Sequence, residues 1–152
     1  MVRGDQEATH LITLTDDPDP RLEAVLEQGL SDYNERKTGR RDWRALAVAV
    51  NDPDGDAPVG GLFGRTTLGL FFLDLFYLPA HLRRGGIGGA ALQMAEEEAI
   101  RRGCVAAVLV TIDFQAPGFC ARHGWEEIGR VRSAADVERI FMRKIFGQNA
   151  GM

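Results

Sequence analysis

The feature that most constrains this chain is a strand, a glycine-rich junction, a long helix and a second strand, in that order. Phe71-Phe72-Leu73-Asp74-Leu75-Phe76-Tyr77-Leu78 is an apolar, aromatic-rich run that stops at Pro79. Beyond the junction, Ile87, Ala91, Met94, Ala95 and Ala99 recur at helical spacing and predict one apolar face, closed by Gly103. Val105-Ala106-Ala107-Val108-Leu109-Val110 then has no polar alternation, which predicts a strand of the buried, parallel type. The segment therefore needs a sheet with a helix packed on it.

The flanking segments extend that sheet. Met1–Glu7 reads as a frayed terminus and Ala8–Thr15 as a short strand, broken by Asp16-Asp17-Pro18-Asp19-Pro20. Leu22, Val25, Leu26 and Leu30 form a helical stripe that Gly29 weakens, and Ser31–Lys37 reads as a second short helix before Thr38-Gly39. Trp43, in a polar loop, reads as a core or loop anchor. Leu46–Val50 and Val59–Arg65 flank turn chemistry at Asn51–Gly55 and predict a hairpin. Gln115–His123 reads as a short helix ended by Gly124, with His123 as a helix-end residue, not a base. Strands Trp125–Arg132 and Glu138–Ile145 follow, joined through Ser133–Asp136. The order β-α-β-β-β-α-β-α-β-β, with no repeat or linker, predicts one α/β domain over residues 1–152. Its sheet is mixed but mostly antiparallel, with six to seven strands and about four helices.

Composition narrows the function. Hydrophobic content of 45% and charged content of 26% over 152 residues fit a globular domain. A net charge of -4 gives no general basic field for nucleic acid or an anionic membrane. No apolar run reaches the ~18–20 residues of a membrane span, and the N-terminus has no signal-peptide pattern. Cys104 and Cys120, the 2 cysteines, make neither a disulfide framework nor a metal motif, so a cytoplasmic protein without a metal is expected. Asp52, Asp54 and Asp56 lack the bidentate glutamate of a calcium loop, and Pro53 interrupts them. Glu97–Arg101 and Glu98–Arg102 are spaced as i,i+4 pairs on a solvated helix face.

The junction itself, Arg83-Arg84-Gly85-Gly86-Ile87-Gly88-Gly89-Ala90, suits a phosphate group. Glycines let backbone N–H groups approach closely, and the first helical turn offers unpartnered N–H groups and the positive end of the dipole. The plainer reading is a flexible turn before a helix. Gly86-x-Gly88-x-x-Ala91 matches a dinucleotide fingerprint, but Pro79–Gly85 separates strand from helix. No acidic residue stands ~20 positions on, where a ribose contact is required. A Walker loop fails for lack of Gly-Lys-Ser/Thr.

The order of elements and the motif Arg83-Arg84-Gly85-Gly86-Ile87-Gly88 resemble the GNAT superfamily of acyl-CoA-dependent N-acetyltransferases, whose signature is Arg/Gln-x-x-Gly-x-Gly/Ala. Phe114-Gln115-Ala116-Pro117-Gly118-Phe119-Cys120-Ala121-Arg122-His123-Gly124-Trp125 resembles the family's later segment, in the form found in small bacterial members. The resemblance runs from Leu11 to Phe146. It implies a GNAT-like sheet splayed at its central parallel pair, acetyl-CoA as acyl donor, and an amine of a small molecule or peptide as acceptor. It also implies that the amides of Arg84 and Gly86–Ala90 hold the pyrophosphate, with Arg83, Arg84 and Gly85 in the same loop. Phe76, Tyr77 and Leu78 would line the pantetheine arm, together with Gln115 and Phe119 from the later segment. Arg83 or Arg84 could pair with the 3′-phosphate, since guanidinium suits bidentate phosphate contacts. Many relatives pair through their sheets, so a homodimer is a further expectation. Acceptor contacts come mainly from segments corresponding to Leu22–Thr38 and Ser133–Val137, where Asp32, Glu35 and Asp136 could attract a cation or simply be solvated.

Transfer needs a neutral amine, a polarised carbonyl and a proton for the departing thiolate. The family's carbonyl contact is a main-chain N–H, here near Phe76. Its usual acid is the tyrosine that follows the phenylalanine; this chain has Cys120 there. Cys120 reads as inert packing, a proton donor or an acyl carrier. Of the tyrosines, Tyr33 lies in the N-terminal helical region and Tyr77 alternates away from the Phe76 face. Strict alternation puts Asp74 on the face of Phe76 and Leu78, as a base or cation contact, unless it is a surface or dimer-contact aspartate. Asp113, at the end of the buried strand, is a second candidate. The missing tyrosine leaves one rival from another class: an acyl-CoA-binding regulatory module with weak or no transferase activity.

Overall fold

The computed structural model describes residues 11–113 and 115–147, in two compact units divided after Arg40. The first unit holds helix α1, Pro20–Thr38. Asp19 caps it by accepting the Arg21 N–H, Pro20 supplies a preset φ at the first turn, and Gly39 closes it at φ 74°, donating its N–H to the Glu35 carbonyl. The expected break near Gly29 does not occur. One glycine costs only about 1 kcal/mol against alanine, too little to split a helix capped at both ends. Within the expected strand Ala8–Thr15, the described residues 11–15 form no strand either. Ala8–His10 lie outside the described residues, as does the expected frayed terminus Met1–Glu7; Ile12–Thr15 make no sheet ladder. The Thr15 hydroxyl instead accepts the Asp17 N–H at 2.9 Å, a local turn that competes with strand pairing.

The second unit is built on six strands: β1 Arg44–Asn51, β2 Pro58–Thr67, β3 Leu70–Tyr77, β4 Ala106–Ile112, β5 Glu126–Ala134 and β6 Val137–Ile145. Their spatial order is β1-β2-β3-β4-β6-β5. Every neighbouring pair is antiparallel except β3 and β4. A short 3₁₀ turn, Ala80–Leu82, leads to α2, Ile87–Arg101, and α3 spans Pro117–Arg122. The mixed sheet with one parallel pair is the expected architecture. Among the described residues there are three α-helices, and none is long and apolar enough to cross a membrane.

One core joins α2 to the sheet. Ala91, Leu92, Ala95 and Ala99 pack with Leu46, Leu62, Phe71, Leu73, Ala107, Leu109, Ile140 and Met142. Met94, expected in this face, is 60% exposed, and Leu92 takes the core position at 1%. Buried among these groups is Glu96. Its carboxylate accepts from Trp125 Nε1 at 3.1 Å and Lys144 Nζ at 3.0 Å, and Lys144 also donates to the His123 carbonyl at 2.8 Å. The arrangement ties α2 to β6 and to the end of α3. Glu98, not Glu97, holds Arg101, and it holds Arg102 as well; together they lower its pKa to about 2. Arg102 continues to the Ala45 carbonyl and the Thr66 hydroxyl, anchoring the end of α2 to β1 and β2.

Candidate active site

The parallel ladder between β3 and β4 runs only from Leu70↔Ala106 to Leu73↔Leu109. β3 continues to Tyr77 and β4 to Ile112, so beyond Leu73 the two strands part. The β3 edge that faced β4 is left without a strand partner from Asp74 onward.

The parting coincides with an extra residue in β3. Gly64 pairs with Leu73 and Phe63 with Leu75, so Asp74 has no opposite number on β2. A β-bulge of this kind bends its strand and shifts the alternation by one. Before it, Phe71 and Leu73 face the core; after it, Phe76 does, paired with the buried Leu62. Leu75 and Tyr77 turn to the other face, which carries a shallow apolar groove lined by Ala47, Ala49, Gly61, Phe63, Leu75 and Tyr77.

The placement of Asp74 therefore corrects the strict alternation. It does not share a face with Phe76. Its carboxylate accepts both contacts, at 2.9 and 2.7 Å, from Arg65 Nη1. Arg65 stacks over the Phe72 ring at 4.3 Å. Asp113 is exposed at the end of β4, where its N–H donates to the Glu138 carbonyl.

On the core side Phe76, Leu78, Gly88 and Phe119 of the predicted cofactor residues come together, whereas Tyr77 lies on the other face. Phe76 meets Phe119 edge to face with centroids 5.8 Å apart, and the Phe119 ring lies 4.5 Å from that of His123. The loop into α2 passes through two left-handed residues, Arg84 at φ 65° and Gly86 at φ 85°. No side chain caps the helix, and its first internal bond is Ala90 N–H to the Gly86 carbonyl. By helix geometry the N–H groups of Ile87, Gly88 and Gly89 have no partner within it. Arg84, Gly85 and Gly86 are exposed.

Gly88 and Gly89 serve a second purpose that sequence reading missed. A Cβ on Gly88 would stand 3.2 Å from Leu78 Cδ1 and 3.4 Å from Phe119 Cζ, and one on Gly89 would stand 2.9 Å from His123 Cε1. The small residues let the first turn of α2 press against α3. Arg83 is committed to the loop, donating from Nε to the Leu78 carbonyl at 2.8 Å. Of the two arginines, Arg84 projects from the loop with no such bond in the structure. Gln115 is exposed and accepts a long contact, 3.5 Å, from the Thr111 hydroxyl; Phe114 lies outside the described residues.

Cys120 is buried at 5% exposure. Burial first, and the Glu96 charge second, push its thiol up to about 11. A thiol so weakly acidic is a poor proton donor to another thiolate, whose ordinary pKa is 9.0.

The chain matches the acetyltransferase (GNAT) family model over residues 11–125. It is 34% identical over 127 residues to an acetyltransferase of Agrobacterium fabrum, covering 84% of this chain and 92% of the relative. It is 31% identical over 118 residues to the blasticidin-S acetyltransferase of Streptomyces morookaense, covering 76% and 79%. An acetyltransferase crystal structure from Agrobacterium tumefaciens superposes with a TM-score of 0.79 at 31% identity, over 89% of this chain and 98% of that one. The splayed parallel pair, the uncapped glycine turn and these matches agree, and the chain belongs to the GNAT family of acetyltransferases.

Proposed function

We propose that the protein transfers the acetyl group of acetyl-CoA to an amine of a small molecule or peptide by direct attack in a ternary complex. The observation that carries this reading is the opened β3 edge lying in sequence just before an uncapped, glycine-built helix start. One offers strand-like hydrogen bonds to an extended amide arm, and the other offers N–H groups to a diphosphate. The amides of Ile87, Gly88 and Gly89 hold the diphosphate with Arg84 beside it, the Ala90 N–H being bonded to the Gly86 carbonyl, while Arg83 keeps the loop against Leu78. Phe76, Leu78 and Phe119 form the apolar wall along which the pantetheine arm lies.

A main-chain N–H near Phe76 donates to the thioester oxygen as negative charge develops there. The amine nitrogen forms the C–N bond, the C–S bond breaks, and the thiolate takes the proton that the attacking nitrogen releases, directly or through water. Asp74 is held by Arg65 on the opposite face, so water, not Asp74, carries the amine's first proton away. The relative named for blasticidin S supports a small-molecule acceptor.

Cys120 plays no chemical part in this scheme. Cys120→Ala is expected to leave kcat unchanged, and the native thiol is expected to resist iodoacetamide at pH 8 and react once the chain is unfolded. The folded thiol keeps its proton where an unfolded one, at the ordinary 9.0, would lose it. Its contribution to stability is therefore complete below pH 9.0 and is lost as the pH rises towards about 11. A drop in kcat, or alkylation of the folded protein, would return Cys120 to the mechanism.

Thiol release from acetyl-CoA across a panel of primary amines tests the reading as a whole. Amine-dependent release is expected with at least one acceptor. The absence of a tyrosine at position 120 favours one rival, an acyl-CoA-binding module. Tight acetyl-CoA binding without turnover on any amine would support that rival.

A further inference from the structure

We propose that Arg65 and Asp74 form a clamp that holds the β3 bulge and thereby sets the strand segment used in acetyl transfer. The proposal rests on the acetyltransferase reading for its catalytic half. Asp74 is the extra residue between the Gly64↔Leu73 and Phe63↔Leu75 pairs, so it is the bulge itself. A bulge leaves a residue outside the ladder, and something must hold it there against sliding back into register.

Arg65 is built for that task. It stands on β2 directly opposite Phe72 of β3 in the register, and its guanidinium lies over the Phe72 ring at 4.3 Å. From that seat Nη1 reaches both carboxylate oxygens of Asp74, at 2.9 and 2.7 Å. The contact thus bridges the last regular pair, Gly64↔Leu73, from Arg65↔Phe72 on one side to the extra residue on the other, at the point where β3 leaves β4. If Asp74 slid into the ladder, the alternation would revert. Phe76 would leave Phe119, and the main-chain N–H near it would turn from the opened edge.

The exposure of the pair sharpens the inference. The two side chains are 37% and 42% exposed, and ion pairs this open contribute little to global stability. Their effect is on local geometry. Arg65 and Asp74 are thus positioning residues, acting through the backbone and not on the substrates themselves.

The test uses Arg65→Met, which keeps an apolar stem over Phe72, together with Asp74→Asn, the double variant and Arg65→Lys. Two readouts are taken: amide hydrogen exchange across Leu62–Gly64 and Leu73–Phe76, and kcat against KM for acetyl-CoA with one amine. Each single variant is expected to speed exchange at the bulge about tenfold, since opening there becomes easier, with Tm unchanged. Each is expected to lower kcat about tenfold while KM for acetyl-CoA stays within about twofold, because only the transition-state contact is misplaced. The double variant is expected to be no worse than either single one, and Arg65→Lys to recover part of the loss. Unchanged exchange would overturn the clamp, and faster exchange with unchanged kcat would overturn its catalytic role. If the wild-type protein turned over no amine, the acetyltransferase reading would fail while the exchange readout still decided the clamp.

Discussion

Replacing Lys144 with methionine is expected to destabilise the fold by about 3 kcal/mol, the lower end of the range for removing one partner of a buried ion pair. The Lys144 side chain is 26% exposed and that of Glu96 is 12% exposed, so solvent relieves part of the penalty. Methionine matches the length of the lysine stem, so packing is nearly preserved. What is lost is the cation 3.0 Å from Glu96 Oε2 and the donor 2.8 Å from the His123 carbonyl. Glu96 would be left as a buried carboxylate held by the Trp125 indole alone. For a chain of this size the loss corresponds to a fall of roughly 9 °C in Tm. Urea unfolding should show a lower midpoint at unchanged m, because the surface exposed on unfolding stays the same. Glu96→Gln combined with Lys144→Met should cost less than the sum of the two, since the stranded charge disappears. A Lys144→Met protein within about 1 kcal/mol of wild type would show that the pair is a solvated contact.

The second large effect is expected at Gly86. Nothing lies within 4 Å of where its Cβ would be, so a side chain has room, but φ is +85°. A β-branched residue in the left-handed region costs about 1–2 kcal/mol, and the backbone would relax towards negative φ to relieve it. That relaxation re-aims the unpartnered N–H groups of Ile87–Gly89 in the first turn. A charge-assisted hydrogen bond to a phosphate oxygen contributes about 1.5–3 kcal/mol. Misdirecting even one should weaken acetyl-CoA binding about thirtyfold in Gly86→Val, by titration calorimetry. Wild-type protein should also bind acetyl-CoA more tightly than ADP-ribose. Equal affinity of Gly86→Val and wild type for acetyl-CoA would remove the glycine turn from the binding site.

The parts of the fold that were legible in the sequence are those set by local chemistry. The apolar run before Pro79, the helical spacing after Gly86 and the unbroken Ala106–Leu109 stretch place β3, α2 and β4 without knowledge of their partners. Asp74 was misplaced because its orientation is not local. Alternation holds along a strand only while the pairing register is unbroken, and the bulge is a property of β2 and β3 together. Glu96 was overlooked for a different reason. The i,i+4 charge pairs of α2 point to a solvated glutamate face, although Glu96 falls four after Leu92 and three before Ala99, both buried. That spacing could have marked it as an inward carboxylate in need of a cation. The close packing of Gly88 and Gly89 on Leu78, Phe119 and His123 had no such signal, since it depends on where α3 comes to rest.

The family motif located the glycine turn, but the proton chemistry had to come from the structure. A sequence cannot say whether Cys120 is an acid or packing; its burial beside Glu96 supports the packing role proposed here. It also cannot say that Arg83 is spent on the Leu78 carbonyl, which is why Arg84 is the arginine we propose for a phosphate.

The most direct measurement follows a labelled acetyl group. Protein, acetyl-CoA labelled in the acetyl carbons and a panel of primary amines are incubated together, and the products are read by mass spectrometry. Transfer in a ternary complex predicts the label on the nitrogen of at least one amine, with release of one free thiol per acetyl transferred and no labelled protein. Acetyl-CoA that is bound but never consumed, or label accumulating on Cys120, would contradict it.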